Sequence, residues 1–165
     1  MLVARSSLEC HLFMSLHPCT CGDSTALRSH RLVSGAEGLI AVYEGACPSC
    51  KASRKVEFVL ADEIVPLTAF GGAAPSSIID AGQFLAVSIA AASEPGTVAS
   101  LTRAIAALEE VVKLIPEGAD RVPADSLHSP DGRALYDREP GRFRRSRLEA
   151  VLGAYRDALS DLTAS

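Results

Sequence analysis

Four cysteines in two tight pairs constrain this chain more than any other sequence feature. The pairs are Cys19/Cys21 and Cys47/Cys50, and residues 22–46 separate them. Zn²⁺ in structural sites takes four ligands in a tetrahedron, so two sulfurs must come from each of two turns that face each other. Cys-x-x-Cys pairs repeated at about this separation are typical of zinc sites. We therefore predict one structural Zn²⁺ ion bound by these four thiolates.

The residues around each pair favour tight turns that can present both sulfurs. Pro48 follows Cys47 and fixes φ at the first position of a turn. The first pair is one residue shorter than the usual spacing, but Gly22 follows it and can adopt a positive φ. We therefore expect two opposed turns, with a β-hairpin between them that returns the chain to its start.

Two disulfides are the first alternative to a metal site. Residues 1–16 lack the continuous apolar stretch of a signal peptide, so we expect a cytoplasmic protein whose cysteines stay reduced. A redox Cys-x-x-Cys is a second alternative, although such a pair normally opens a helix and residues 51–60 have the pattern of a strand. A catalytic zinc is disfavoured because four cysteine ligands leave no open position on the ion.

Other residues near the pairs could contribute to the site. His17 could be a substitute ligand or support a ligand, although a solvated histidine is the simpler interpretation. Cys10 falls on the apolar face of a predicted helix, and we expect it in the core rather than on the metal. Four thiolates leave excess negative charge on the ion, which nearby basic side chains could offset: Arg28, Arg31, Lys51, Arg54 and Lys55.

The stretch from about residue 17 to residue 60 resembles the zinc-ribbon proteins at its two cysteine turns. The resemblance implies two knuckles carried by a small antiparallel sheet. The chain departs from that pattern at the Cys19-x-Cys21 spacing and at Lys51, where ribbons usually have glycine. The whole layout also resembles uncharacterised actinobacterial proteins that join a ribbon to a helical tail. Ribbons serve nucleic-acid, protein and structural roles, so the resemblance does not select a function.

Periodicity and capping signals predict an α+β chain in two parts. Residues 1–62 are expected to form an N-terminal helix and a small antiparallel three-stranded zinc ribbon, and residues 63–165 an α-helical region packed on or joined to it. Asp80 has the capping-box spacing to Gln83, and Ser129–Gly132 is expected to be a turn. The predicted strands are 27–33, 39–43 and 54–60, and the predicted helices are 7–16, 80–92, 97–115, 133–138 and 141–162.

Composition limits what the chain can be. It is 48% hydrophobic and 22% charged with a formal net charge of −4, so it can bury a core and has no strongly basic segment. No apolar run reaches the roughly 20 residues that a membrane helix needs. The basic residues are mainly arginine rather than lysine, a usage associated with GC-rich bacterial genomes.

Two further stretches could contact a partner. The last predicted helix starts with four arginines, called the arginine run: Arg142, Arg144, Arg145 and Arg147. Positive charge at the start of a helix opposes the macrodipole. It could hold phosphate or an acidic partner, or be a solvated face paired with neighbouring acids.

The Phe70–Ser77 loop contains two adjacent glycines that could bring backbone N–H groups to an anion, although a tight turn that packs Phe70 is the plainer interpretation.

The sequence favours binding over catalysis. No nucleophile elbow, metalloprotease motif or acid pair stands out, so no catalytic residue is assigned. The leading prediction is a non-enzymatic, zinc-stabilised interaction module that binds another protein. The alternatives are a nucleic-acid-binding zinc ribbon that uses Arg142–Arg147 and a small enzyme with its site at the Phe70–Ser77 loop. The apolar seam of residues 97–115 is expected in the core, with a homodimer interface as its alternative.

Overall fold

A computed structural model describes residues 1–164 of the chain, and within them the fold is α+β with four strands and five α-helices. The chain divides into two compact units, Met1–Gly72 and Ala73–Ser165. The first unit holds the sheet and one helix, and the second unit is helical.

The sheet of the first unit has four strands in the order β1-β4-β3-β2. The hairpin β2–β3 and the pair β3–β4 are antiparallel, whereas β1 lies parallel to β4. The sheet is therefore mixed and four-stranded, and the expectation of three antiparallel strands is wrong. The missed strand is three residues long, too short to show an alternating pattern. The elements are β1 (Leu2–Ala4), α1 (Ser7–Leu16), β2 (His30–Gly35), β3 (Gly38–Ala46) and β4 (Ser53–Leu60).

Aromatic contacts between α1 and one face of the sheet form the core of this unit. Phe13 meets Phe58 edge to face at 5.6 Å between ring centroids, and Phe58 meets Tyr43 at 5.9 Å. Cys10 is fully buried in the same layer, as the sequence predicted. The burial raises the pKa of the Cys10 thiol to about 12, so this cysteine is an apolar core residue and not a reactive one.

The start of α1 is joined to the end of the unit by a hydrogen bond and lies beside a buried ion pair. Ser6 caps the helix, and its hydroxyl donates to the carbonyl of Phe70 at 2.8 Å. Arg5 pairs with the fully buried Glu9 at 2.6 Å, and the Arg5 guanidinium lies so close to Gly71 that any side chain there would collide with it. Phe70 is buried as well, which agrees with its expected packing role.

The second unit is an assembly of four helices, with α3 packed against both α2 and α5. The predicted capping box at Asp80 is confirmed, and Thr97 with Ser100 forms another at the start of α3. Among the described residues no helix is both long enough and apolar enough to cross a membrane. The helices are α2 (Ala81–Ser93), α3 (Val98–Lys113), α4 (Pro130–Arg138) and α5 (Arg145–Ala164), with 3-10 turns at Ala124–Ser126 and Pro140–Phe143.

Two local expectations in this unit are wrong. Ser129 caps α4 with Pro130 as the first helical residue, so the expected turn is the first turn of a helix. The last helix begins at Arg145 and not at residue 141, because Arg144 is extended and forms a bridge with Arg121. Long-range backbone pairing thus overrides local helix propensity at this point.

Asp80 fixes the start of α4 against the start of α2. Its carboxylate is 1% exposed and accepts hydrogen bonds from the backbone N–H groups of Gln83 at 2.9 Å and Ser129 at 2.7 Å. Gly82 and Gly132 make this approach possible, because a Cβ on Gly82 would collide with the Cα of Gly132. One buried carboxylate therefore caps α2 and also holds the residues that lead into α4.

Candidate metal centre

The structure brings the four predicted cysteines together at one end of the sheet in the first unit. The sulfur–sulfur separations are 3.5–3.9 Å, and Cys19–Cys50 and Cys21–Cys47 are both 3.6 Å. Four ligands placed roughly 2.3 Å from a central ion define a tetrahedron with edges of about 3.8 Å. Disulfides would need sulfurs about 2.05 Å apart, and all four cysteines are free. The four sulfurs therefore have the spacing of one tetrahedral metal site.

The first knuckle depends on a glycine in the left-handed region. Gly22 has φ +88° and its N–H donates to the Cys19 carbonyl at 2.7 Å, as expected from its place after the first cysteine pair. The N–H of Cys19 in turn donates to the Asp23 carbonyl at 2.9 Å. This closed turn lets a pair with only one intervening residue direct both sulfurs to the same point.

The second knuckle places a lysine where zinc ribbons usually have glycine. Lys51 has φ +64°, the one non-glycine residue with positive φ among residues 1–164. Its N–H donates to the Cys47 carbonyl at 3.0 Å, and its Nζ donates to the Pro48 carbonyl at 2.7 Å. A left-handed conformation costs a residue with a Cβ roughly 1–2 kcal/mol. The lysine thus keeps the backbone shape of a glycine and adds an ammonium group to the turn.

Asp23 connects the two knuckles, and sequence reasoning missed it. Its Oδ1 accepts from the Thr25 N–H at 2.8 Å, and its Oδ2 accepts from the Ser49 hydroxyl at 2.6 Å and lies 3.6 Å from Cys47 Sγ. The Ser49 hydroxyl and then the Thr25 contacts hold the pKa of Asp23 well below its usual range. The available sequence signal was the Asp-x-Thr pattern of an Asx turn, but the cross-knuckle contact is non-local.

The close approach of the sulfurs changes the pKa of two of the thiols, Cys19 and Cys50. The backbone N–H of Cys21 and the neighbouring sulfurs lower the pKa of Cys19 to about 6. At Cys50 the Ala52 N–H acts in the same direction, but the sulfurs of Cys21 and Cys19 outweigh it and raise the pKa to about 12. Cys19 therefore loses its proton readily and Cys50 only with difficulty, and a bound cation would favour the thiolate of Cys50.

The expected basic residues divide into two groups. Arg54 donates to the carbonyls of Thr25 at 3.0 Å and His17 at 3.1 Å, and so braces the chain on both sides of the first knuckle. Arg31 and Lys55 instead form ion pairs with strand carboxylates, Glu44 at 3.5 Å and Glu57 at 2.6 Å. Lys51 and Arg54 thus bond to backbone carbonyls at or beside the knuckles, whereas Arg31 and Lys55 are used in ion pairs along the strands.

His17 is held away from the metal ligands by contacts within its own helix end. Its Nδ1 lies 2.8 Å from the Phe13 carbonyl, and because a carbonyl only accepts, the ring donates. The imidazole also stacks on the Phe13 ring at 4.0 Å between centroids. The group of possible ligands contains the four cysteines without His17.

The four residues of the arginine run have different environments. Arg145 donates from its guanidinium to the carbonyls of Ile115, Pro116 and Ala119, at 3.3–3.4 Å, and so holds the segment that follows α3. Arg142 is paired with Glu139. Arg144 and Arg147 are exposed. The structure thus assigns Arg145 a structural contact and does not present the run as one uniform surface.

In the Phe70–Ser77 loop, two polar groups are used in internal hydrogen bonds. The N–H of Gly72 donates to Glu63 Oε1 at 2.6 Å, so the anion at the glycine pair is a carboxylate of the chain itself. The hydroxyl of Ser76 accepts from the N–H groups of Ile78 and Ile79 at 3.2 and 3.0 Å. These contacts account for both groups without a ligand.

The sequence matches no family model, and no curated protein or solved structure is similar to it. The class of protein therefore rests on the structure itself: an α+β chain with four cysteines placed to hold one metal ion. No zinc-ribbon fold is confirmed, since no family matches and the four-stranded mixed sheet differs from the three antiparallel strands expected from that resemblance.

Proposed function

We propose that Cys19, Cys21, Cys47 and Cys50 hold one structural Zn²⁺ ion. The observation that carries this proposal is the set of sulfur separations, which equal the edges of a tetrahedral site within a few tenths of an ångström. Tetrahedral thiolate sets suit zinc or iron. An all-cysteine shell leaves the ion no open position, so its role is to join the two knuckles and stabilise a small sheet, by on the order of 10 kcal/mol.

Metal analysis of the purified full chain tests this proposal. We expect about one zinc ion per chain after gel filtration and a colourless protein, since Zn²⁺ is d¹⁰ and iron–thiolate sites absorb visible light. Cys47→Ser should lose the ion, and Cys10→Ala should retain it because Cys10 lies in the core. Absence of metal in the wild type, or zinc retained at full occupancy by Cys47→Ser, would contradict the proposal.

We infer further that the chain is a non-enzymatic module that binds another protein. Its support is the segment between β4 and Phe70, in which Ile64 and Leu67 are fully exposed. Each would gain about 1.5–3 kcal/mol if a partner buried it. Binding residues commonly lie on loops held by a rigid scaffold. Here the scaffold is the first unit, which the proposed Zn²⁺ ion stabilises.

The partner proposal can be tested by quantitative affinity capture with tagged full chain. The double variant Ile64→Asn/Leu67→Asn should lose a protein that the wild type captures and that binds again when purified. Leu32→Asn is the matched control, because Leu32 is an exposed aliphatic residue in β2 outside this segment. Equal binding by the loop variant and the wild type would exclude the segment as the contact.

Nucleic-acid binding through Arg142–Arg147 has weaker support. Arg145 is hydrogen-bonded to the segment after α3, Arg142 is paired with Glu139, and the whole chain has a net charge of −4. Such binding would weaken steeply as salt rises, because condensed counterions are released. A fluorescence-anisotropy titration at several salt concentrations distinguishes it from protein binding.

A further inference from the structure

A partly open cavity of about 190 Å³ lies within the second unit, lined by residues of α2, α3 and α5 and by Arg142 of the 3-10 turn before α5. Five aliphatic side chains form most of its wall: Leu85, Ile89, Leu108, Leu148 and Val151. Ser88 also lines it, but the Ser88 hydroxyl donates to the Ala104 carbonyl at 2.8 Å and is buried. This aliphatic part of the wall therefore suits an apolar group.

Two arginines line the same cavity, and its lining contains no acidic residue. Arg142 is partly neutralised by Glu139. Arg147 is exposed, and its guanidinium has no ion pair within the part of the chain that the structure describes. Tyr155, half-buried, adds a phenol to the lining. The cavity thus combines an aliphatic wall with two guanidinium groups and one phenol hydroxyl group.

The volume limits the size of the occupant. An apolar cavity of roughly 150 Å³ accommodates benzene, and drug-sized ligands need about 300–1,000 Å³. A single ring or a short branched chain therefore fits within this volume. Guanidinium groups recognise carboxylates through paired, parallel N–H···O bonds, which gives the charged end of the occupant a defined place.

We propose that this cavity binds a small monocarboxylate whose body is one ring or a short branched aliphatic chain. The body contacts the aliphatic wall, and the carboxylate pairs with Arg147 and Arg142. Members of the arginine run therefore have different roles, because Arg142 and Arg147 line the cavity whereas Arg145 bonds to the segment after α3. It does not depend on the metal centre, so failure of either proposal leaves the other intact.

An NMR titration of the full chain tests the site with defined probes. Benzoate and 4-methylpentanoate should shift backbone amide signals of α2, α3 and α5 at the cavity residues. Benzamide, which has the same ring without the charge, should bind at least about fivefold more weakly, since a charge-assisted hydrogen bond is roughly twice as strong as a neutral one. Inorganic phosphate should leave signals of the aliphatic wall unchanged.

Two variants with the same charge change isolate the arginine contact. Arg147→Gln should weaken benzoate binding about tenfold, in line with loss of a hydrogen-bonded charge. Arg144→Gln, an exposed neighbour that does not line the cavity, should bind benzoate as the wild type does. Val151→Phe, at a half-buried position of the wall, should abolish binding by filling the space, and thermal denaturation checks that each variant is folded.

Three results would each overturn the proposal. One is the absence of carboxylate-dependent shifts at the cavity residues of the folded protein. Another is equal binding of benzoate and benzamide, which would remove the role of charge. The last is an equal effect of Arg147→Gln and Arg144→Gln, which would reduce the contact to non-specific attraction.

Discussion

The hydroxyl of Ser49 donates a 2.6 Å hydrogen bond to Asp23 Oδ2, and this contact joins the second cysteine knuckle to the first. Each knuckle is closed by its own backbone hydrogen bonds, so either could form alone. The Asp23–Ser49 contact therefore links the two sulfur pairs through side chains, in addition to the link that the sheet provides.

Removing this contact should weaken metal binding without abolishing it. Ser49→Ala is expected to reduce zinc affinity about tenfold, the lower end of the range for groups that support ligands. Competition with a chromophoric chelator measures the change. Ser24→Ala is the matched control, since Ser24 is an exposed serine of the same segment. An unchanged affinity for Ser49→Ala would show that the two knuckles are aligned by other contacts.

Metal removal should unfold one unit and leave the other folded. The first unit has a small sheet and one helix, whereas the second unit has four helices with their own buried core. A strong chelator should therefore collapse the amide signals of residues 1–72 and preserve those of residues 73–164 in a heteronuclear NMR spectrum. Survival of the sheet signals in metal-free protein would contradict the stabilising role proposed for the ion.

Loss of the Asp80 carboxylate should destabilise the helical unit strongly. It accepts three backbone hydrogen bonds, from Gln83, His128 and Ser129, and Asp80→Ala would leave these N–H groups unsatisfied. We expect a loss of about 3 kcal/mol in the free energy of unfolding, measured by urea denaturation. Asp157→Ala, an exposed acidic residue on α5, should change it by less than about 0.5 kcal/mol.

His11 should make the sheet unit less stable in mild acid. Burial, then the charges of His30 and Arg28, lower the pKa of His11 below 6.5, and its Nε2 is buried without a hydrogen-bond partner. The unfolded chain then binds the proton more readily, so stability is lost as pH falls below 6.5 and levels off below the folded-state pKa. NMR titration of the imidazole should give a pKa below 6.5.

A variant separates this effect from protonation of the cysteines. At the same free zinc concentration, His11→Gln should lose the part of the pH dependence that the wild type shows between pH 6.5 and the pKa measured for His11. Identical pH profiles for the two proteins, or an imidazole that titrates above 6.5, would contradict the assignment.

Local signals predicted the helices and caps better than the sheet. Asp80 and Gln83 lie three residues apart, so their capping box could be read directly from the sequence. The strand Leu2–Ala4 pairs with residues 58–60, and the start of α5 is set by the bridge between Arg121 and Arg144. Both depend on partners distant in sequence, which periodicity does not reveal.

The candidate site shows the same division. The spacing of the cysteines identified all four sulfurs that the structure places together, because two turns of that form are short and self-contained. Asp23 was missed, since its role depends on Ser49 across the gap between the knuckles. Arg145 was grouped with the neighbouring arginines, because its hydrogen-bond partners are distant in sequence. The carbonyls of Ile115 and Pro116 are 30 and 29 residues away from it.

Lys51 has a consequence for how such centres are recognised. The turn after the second cysteine pair requires a backbone shape, and glycine is the common residue that meets it but not a chemical necessity. A motif written with an obligatory glycine at this position would pass over the chain. A descriptor based on dihedral angles and sulfur distances would retrieve it. The same descriptor would retrieve any other protein that has a positively charged residue in place of glycine at this position.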